Sequence, residues 1–251
     1  MTVLQARSVS KTFDTTDPPT PVLKGIDLDV AEAEFLVIMG ASGSGKSTLL
    51  YALSGLDRPT EGIVTLAGRD LTGLSEKEAS QMRLHQVGFI FQQSYFLDNL
   101  SIRDNILLPA LKAAGTKDRS VSRHIDDLLE RFGIGHIANH GITEASGDQL
   151  QRASICRALS VGPQVLFADE PTGALNSSMT EDVMDAISSV HDDGTTIIMV
   201  THDPVVAARA DRVIYLRDGE LIDELHLSRV TETETRSKED ELQSWLSAND
   251  F

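Results

Sequence analysis

Short uninterrupted apolar runs recur along the chain at Phe35–Met39, Gly88–Phe91, Val165–Ala168 and Thr196–Thr201. None alternates strictly between apolar and polar positions, the pattern of strands covered on both faces. Between them lie stretches with apolar positions at helical spacing, including Lys46–Leu53, Val121–Phe132, Gln149–Leu159 and Ser178–Val190. Strand and helix in alternation predict α/β architecture around a mainly parallel sheet. Val213–Leu216 and Leu221–Ile222 flank Arg217-Asp218-Gly219-Glu220, which predicts a hairpin turning on Asp-Gly and so a small antiparallel element. The segment Asp14–Pro21, with prolines at 18, 19 and 21, reads as a loop between two N-terminal strands.

From Arg229 the composition turns to Thr, Glu, Lys and Asp, which bury no apolar surface; the main domain is expected over 1–228 and a mobile charged tail over 229–251. Leu242, Trp245 and Leu246 stand at helical spacing within that tail. Two readings are open: a short amphipathic helix that docks on the body or a partner, or a frayed end with one apolar face.

Composition narrows the classes. With 251 residues, 41% hydrophobic and 24% charged, the chain suits one large globular domain, alone or with a small satellite, and not a collagen-like, mucin-like or wholly disordered protein. Lys and Arg number 22 against 38 Asp and Glu, a net charge of −16. So acidic a surface repels phosphate backbones and anionic headgroups, and neither direct nucleic-acid nor direct lipid binding is expected. Membrane attachment is expected to run through a protein partner. The single cysteine, Cys156, forms no intrachain disulfide and gives no zinc spacing, which fits a reducing compartment. Residues 1–13 lack the basic start and apolar core of a secretory signal, and no stretch reaches the roughly 20 apolar residues that span a bilayer. A cytoplasmic location is expected.

Candidate chemistry begins at Gly40, Ala41, Ser42, Gly43, Ser44, Gly45, Lys46 and Ser47, which satisfy the phosphate-loop pattern between an apolar strand and a helical run. Glycines let successive backbone N–H groups turn inward around phosphate oxygens, and the following helix adds its positive N-terminus. Lys46 is suited to the β and γ phosphates and the Ser47 hydroxyl to Mg²⁺. The bland alternative, a glycine-rich turn with a surface lysine, does not account for the strand before it and the helix after it. Downstream, Asp169 and Glu170 close the apolar run Val165–Ala168. Carboxylates at the carboxyl edge of a parallel sheet stand where ligands bind. Asp169 is expected to hold Mg²⁺ through its water shell, and Glu170 to polarise or deprotonate an attacking water. His202, just after Thr196–Thr201, reads either as a satisfied loop residue or as a contact to the γ-phosphate and that water.

Taken in order, these residues resemble the ATP-binding subunits of ATP-binding-cassette (ABC) transporters over most of the chain. Gly40–Ser47 resembles Walker A, Phe91-Gln92 the Q-loop and Ser146-Gly147-Asp148-Gln149 the signature segment. Val165–Asp169 resembles Walker B, Ala174-Leu175-Asn176 the D-loop, and Thr201-His202-Asp203 the switch histidine. The resemblance implies a P-loop NTPase cassette with a mainly parallel core sheet, a small antiparallel β element and an α-helical subdomain at about 93–160, hinged at Gln92. It implies ATP and Mg²⁺ as cofactors. Phe13, the loop through Ser47 and Thr48 would take the nucleotide, Ser47, Gln92 and Asp169 would serve the metal, and Glu170, His202 and Gln92 would act in catalysis. Alone, Phe13 would read as core and Gln92 as a polar edge residue. The resemblance further implies a head-to-tail dimer in which Ser146, Gly147, Asp148 and Gln149 cover the other subunit's ATP. A separately encoded permease would hold the dimer at the inner face of the cell membrane.

Two positions depart from the pattern. Asp148 stands where the signature carries its second glycine, and Asn176 where the D-loop carries aspartate. Asp148 either brings a carboxylate towards the partner's γ-phosphate, weakening the site, or serves the first turn of the helix that follows. Asn176 keeps its hydrogen-bonding capacity and reads as tolerated variation. The loop Asp14–Pro21, Ser54–Gly62 and Asp169–Leu175 resemble the group serving macrolide efflux, lipoprotein release and antimicrobial-peptide resistance, which moves amphiphiles. A relative in cell division shares these motifs, so a regulatory, mechanotransmitting role without transport stays open. A soluble cassette of DNA repair or translation fits poorly with one cassette and strong acidity, and a P-loop kinase leaves Gln92, the signature and His202 without a task.

Overall fold

The computed structural model describes residues 1–14, 17–115, 119–173, 175–227 and 235–249. The chain divides into two compact units, Met1–Ala79 with Thr196–Phe251, and Ser80–Thr195.

In the first unit, β1 (Thr2–Phe13), β2 (Thr20–Ala31), β4 (Glu61–Leu66) and β5 (Arg69–Asp70) form an antiparallel sheet in the order β2-β1-β4-β5. Alternation decides its inner face: Leu23, Ile26, Leu28 and Val30 of β2 are buried and every residue between them is exposed, singly except at Lys24-Gly25, where the register shifts and two exposed residues intervene. A second set of strands holds the apolar runs. β3 (Phe35–Met39) lies between β8 (Thr196–Val200) and β9 (Arg212–Arg217), parallel to both, and every residue of β3 and β8 is buried. A strand with neighbours on both edges and cover on both faces has no position for a polar residue, which is why no alternation is seen. β9 turns back antiparallel into β10 (Glu220–His226), with Asp218 at φ 51° and Gly219 at φ 80°, the two left-handed positions that Asp-Gly supplies. Helix α1 (Lys46–Ser54) follows β3 through the glycine-rich loop and ends at Gly55, also left-handed at φ 70°. After β8 comes the short helix α7 (Pro204–Ala207).

Within the tail expected to be mobile, residues 229–234 lie outside the described residues, and Thr235–Ala248 forms helix α8. Leu242 and Leu246 are buried, Trp245 meets the Tyr215 ring edge-on at 6.2 Å, and its Nε1 donates to Asp223 Oδ2 at 2.7 Å. Helix α8 also packs against α7.

Before the second unit's first strand runs α2 (Glu76–Gln86), a helix not among those named from the apolar pattern. The second unit holds the parallel pair β6 (Val87–Ile90) and β7 (Val165–Asp169), with the helices α3 (Ile102–Ala114), α4 (Arg119–Arg131), α5 (Gly147–Leu159) and α6 (Ser177–Asp192). Helix α5 is its centre, packing on α3, α4, α6 and β6 and burying Ala153, Ser154, Ile155 and Cys156. Ser101 caps α3, its Oγ accepting from Asp104 N–H at 3.1 Å, and the buried Asn105 accepts from Leu97 N–H at 2.8 Å. This unit exceeds the expected helical subdomain at both ends because it also takes in β6, β7 and α6. Among the described residues no helix is long and apolar enough to cross a membrane.

Candidate functional site

In the first unit the glycine-rich loop leaves the carboxyl end of β3 with Gly40, Gly43 and Gly45 at φ 153°, 80° and 103°. A Cβ on Gly40 would run into the Leu216 carbonyl oxygen, and one on Gly45 would lie 3.0 Å from the Val22 oxygen. The glycines are therefore demanded by strand β9 on one side and β2 on the other. Gly219, in the β9–β10 turn, donates its N–H to the Ser44 oxygen at 3.1 Å, propping the loop from below. That Asp-Gly pair reads in the sequence as a hairpin turn alone, and nothing in its spelling announces the support it gives.

Ala41, Ser42 and Gly43 are exposed, Ser47 and Thr48 half-buried. Lys46 Nζ donates to the Gly40 and Ala41 oxygens, both at 2.8 Å, so the ammonium is held inside the curl of the loop. The Ser44 hydroxyl is buried without a hydrogen-bond partner among the described residues. A glycine-rich loop turning through left-handed positions, an ammonium bonded to its carbonyls and a buried unpartnered hydroxyl together suit a polyphosphate.

His202 belongs to the same edge. β3 and β8 run parallel with Ile38 beside Val200, so the phosphate loop and the Thr201–His202 segment leave adjacent strand ends. Thr201 is buried and its N–H donates to the Ile38 oxygen at 3.4 Å, while its Oγ1 accepts from Asp203 N–H at 3.1 Å. Asp203 caps α7 through Val205 N–H at 2.9 Å. These bonds hold the backbone on both sides of His202, whose side chain is exposed. Phe13 closes β1 opposite Thr20 of β2, and Leu23 of the same strand touches the Gly45 position. One strand therefore flanks both Phe13 and the phosphate loop.

In the second unit the same construction repeats. β6 and β7 are parallel with Ile90 beside Ala168, so Phe91-Gln92 and Asp169-Glu170 leave adjacent strand ends. Asp169 is buried at 6% exposure. Glu170 has left-handed backbone, φ 47°, immediately before Pro171. A Cβ placed on Gly173 would lie 3.5 Å from both Gln92 Nε2 and Glu170 Cβ, so both residues border that glycine. Hydroxyl, amide and carboxylate oxygens are the donors Mg²⁺ prefers, and it takes few of them from protein. Among the described residues, no group of three or more His, Cys, Asp or Glu gathers that could hold a metal ion.

The segment Ser146–Gln149 opens α5 in this unit. Ser146 is the N-cap; its N–H donates to Gln149 Oε1 at 3.0 Å and its hydroxyl to Asp148 Oδ1 at 2.5 Å. Asp148 is thus engaged at a helix N-terminus, where its charge is favourable. Of the segment Ala174-Leu175-Asn176, Ala174 lies outside the described residues. Asn176 is the N-cap of α6, accepting from Met179 N–H at 3.1 Å, a task aspartate and asparagine perform equally well. Burial pushes the Cys156 thiol up to about 12, leaving it inert.

Residues 23–173 match the family described as ABC transporter. The bacitracin export ATP-binding protein BceA of Halalkalibacterium halodurans is 41% identical over 227 residues, 90% of this chain and 89% of that protein. The macrolide export ATP-binding/permease protein MacB 1 of Aeromonas hydrophila is 43% identical over 220 residues; these are 88% of this chain and 34% of that longer protein, so the chain spans about a third of its length. Among solved structures, a dimeric ATP-binding cassette in a post-hydrolysis state with ADP and Pi superposes with a TM-score of 0.84 at 35% identity, covering 90% of this chain and 100% of that one.

Proposed function

Because this chain belongs to the ABC transporter family, as an ATP-binding subunit that hydrolyses ATP, we propose that it powers a separately encoded permease as one half of a head-to-tail dimer. The observation that supports the reading of the catalytic residues is that Gln92 and Glu170 follow the ends of adjacent parallel strands and both border Gly173. A carboxylate that polarises water and an amide that senses metal and nucleotide belong side by side.

In this reading Lys46 exchanges its loop carbonyls for the β and γ phosphates, and the backbone N–H groups of residues 40–48 hold the remaining oxygens. Phe13 stacks on the base. Ser47, Gln92 and Asp169 serve Mg²⁺, which neutralises charge on the transferring phosphoryl group. Glu170 takes the proton of the attacking water, and His202 holds the γ-phosphate against it. Ser146, Gly147, Asp148 and Gln149 face the nucleotide of the second subunit.

The names of the relatives, bacitracin export and macrolide export, support an amphiphilic compound or peptide as cargo. The charge of −16 supports recruitment to the inner face of the membrane by the permease and not by lipid, with no nucleic-acid partner. Glu170→Gln is the test: it should retain ATP, trap a dimer visible by gel filtration, and lower turnover by roughly 10²-fold or more. Turnover near wild type overturns the role of Glu170. Cargo-stimulated hydrolysis and vectorial movement in vesicles reconstituted with the permease test export itself; stimulation without movement favours the mechanotransmitting role.

A further inference from the structure

Phe13 is 36% exposed, and one face of its ring is already occupied: Lys11 Nζ lies 5.1 Å from the ring centroid. The two residues are two apart on β1 and project from one face of the strand. Lys11 is no loose surface cation. Its side chain is only 12% exposed, and the ammonium donates to Asp57 Oδ1 and to the Arg58 oxygen, both at 2.7 Å. Asp57 is fixed in turn by the end of α1, its N–H donating to the Tyr51 oxygen at 3.1 Å just beyond Gly55. Beside it, Thr12 N–H donates to Thr60 Oγ1 at 3.0 Å. The C-terminus of the helix that begins at the phosphate loop is therefore strapped to the strand that carries Phe13, with the Lys11 ammonium between them.

We infer that Lys11 is a positioning residue for the nucleobase: it backs one face of Phe13 so that the other is presented to a neutral heteroaromatic base. This rests on the reading that Phe13 stacks on the base of ATP. A cation held on one face restricts the ring and draws electron density towards itself, which favours an electron-rich purine on the open face. Lys11 is bonded to Asp57 and Arg58 and not to the phosphate loop, so the effect is expected at the base.

Lys11→Met keeps the length of the side chain and removes the charge. The expected result is a KM for ATP raised about two- to fivefold with kcat unchanged. Inhibition by tripolyphosphate, which has phosphates and no base, should be unaltered. Lys11→Arg keeps a cation in reach of ring and carboxylate and should restore KM. In a Phe13→Ala background, where KM is already raised, Lys11→Met should add nothing. If Phe13→Ala leaves KM unchanged, the reading of Phe13 fails. If Phe13→Ala raises KM and Lys11→Met does not, or raises it equally in both backgrounds, the positioning role is overturned while Phe13 stands. Equal weakening of ATP and tripolyphosphate with a lowered Tm assigns Lys11 to stability alone and also overturns it. Should the Met variant not fold, Lys11→Gln carries the same comparison.

Discussion

A Cβ added at Gly40 would strike the Leu216 carbonyl oxygen, while one added at Gly147 would meet nothing within 4 Å. Both glycines belong to short Ser/Gly runs that open a helix, yet they are constrained from different directions. The loop before α1 has its glycines dictated by this chain: β9 blocks a side chain at Gly40, β2 crowds one at Gly45, and the backbone is left-handed at Gly43 and Gly45. The opening of α5 has no such internal demand. Gly147 is an ordinary first-turn residue, and Asp148 finds a good bond to the Ser146 hydroxyl. Gly147 therefore meets no demand from within its own unit, which suits the role proposed for this segment against another subunit's nucleotide.

Gly40→Ala puts this contrast under the greatest strain. It should destabilise the protein by on the order of 3 kcal/mol, because the obstructing atom is backbone and cannot rotate away. For a chain of this size that is a fall in Tm of about 10 °C in a thermal melt. Lys46→Ala comes next. Its two loop bonds are exposed or half-exposed, so the melt should move little, while ATP affinity by calorimetry should fall roughly 10- to 100-fold with the loss of charge-assisted contacts. Unchanged affinity counts against the whole phosphate-loop reading.

Asp148→Gly should act more weakly and in two directions. Removing a carboxylate well beyond contact from the partner's γ-phosphate should raise dimerisation and hydrolysis about fivefold, while the loss of first-turn charge lowers Tm slightly. Gel filtration in the Glu170→Gln background reads the first effect and a melt the second. No gain in dimer or rate leaves Asp148 as a helix-terminus residue only. Beside a different cassette subunit with an intact signature, one of the two composite sites alone would respond. Gly147→Ala is the smallest: its stability should stay within about 0.5 kcal/mol of wild type. A loss as large as that of Gly40→Ala would erase the contrast.

Legibility followed the same division between inner and outer demands. β3, β7 and β8 are readable because full burial spells itself as unbroken apolar sequence. Helix α2 escapes because among its eleven residues only Ala79 and Met82 are buried, too few to mark a face, and α3 because Pro109 stands inside it. Around the candidate site, motif residues are visible one by one, but Gly219 under the phosphate loop, Gly173 between Gln92 and Glu170, and Lys11 behind Phe13 are not. Each acts through a neighbour distant in sequence, and spacing carries no trace of that.

Glu170 carries one more consequence. Its left-handed backbone costs a residue with a side chain on the order of 1 kcal/mol, and Pro171 after it disfavours compact backbone further. Glycine would sit there at ease. With Glu170 in the role proposed for it, durability and turnover pull against each other at this one codon: a laboratory search for heat-tolerant variants, run without an activity screen, is expected to be drawn to Glu170→Gly and to return a sturdier protein with its turnover lost.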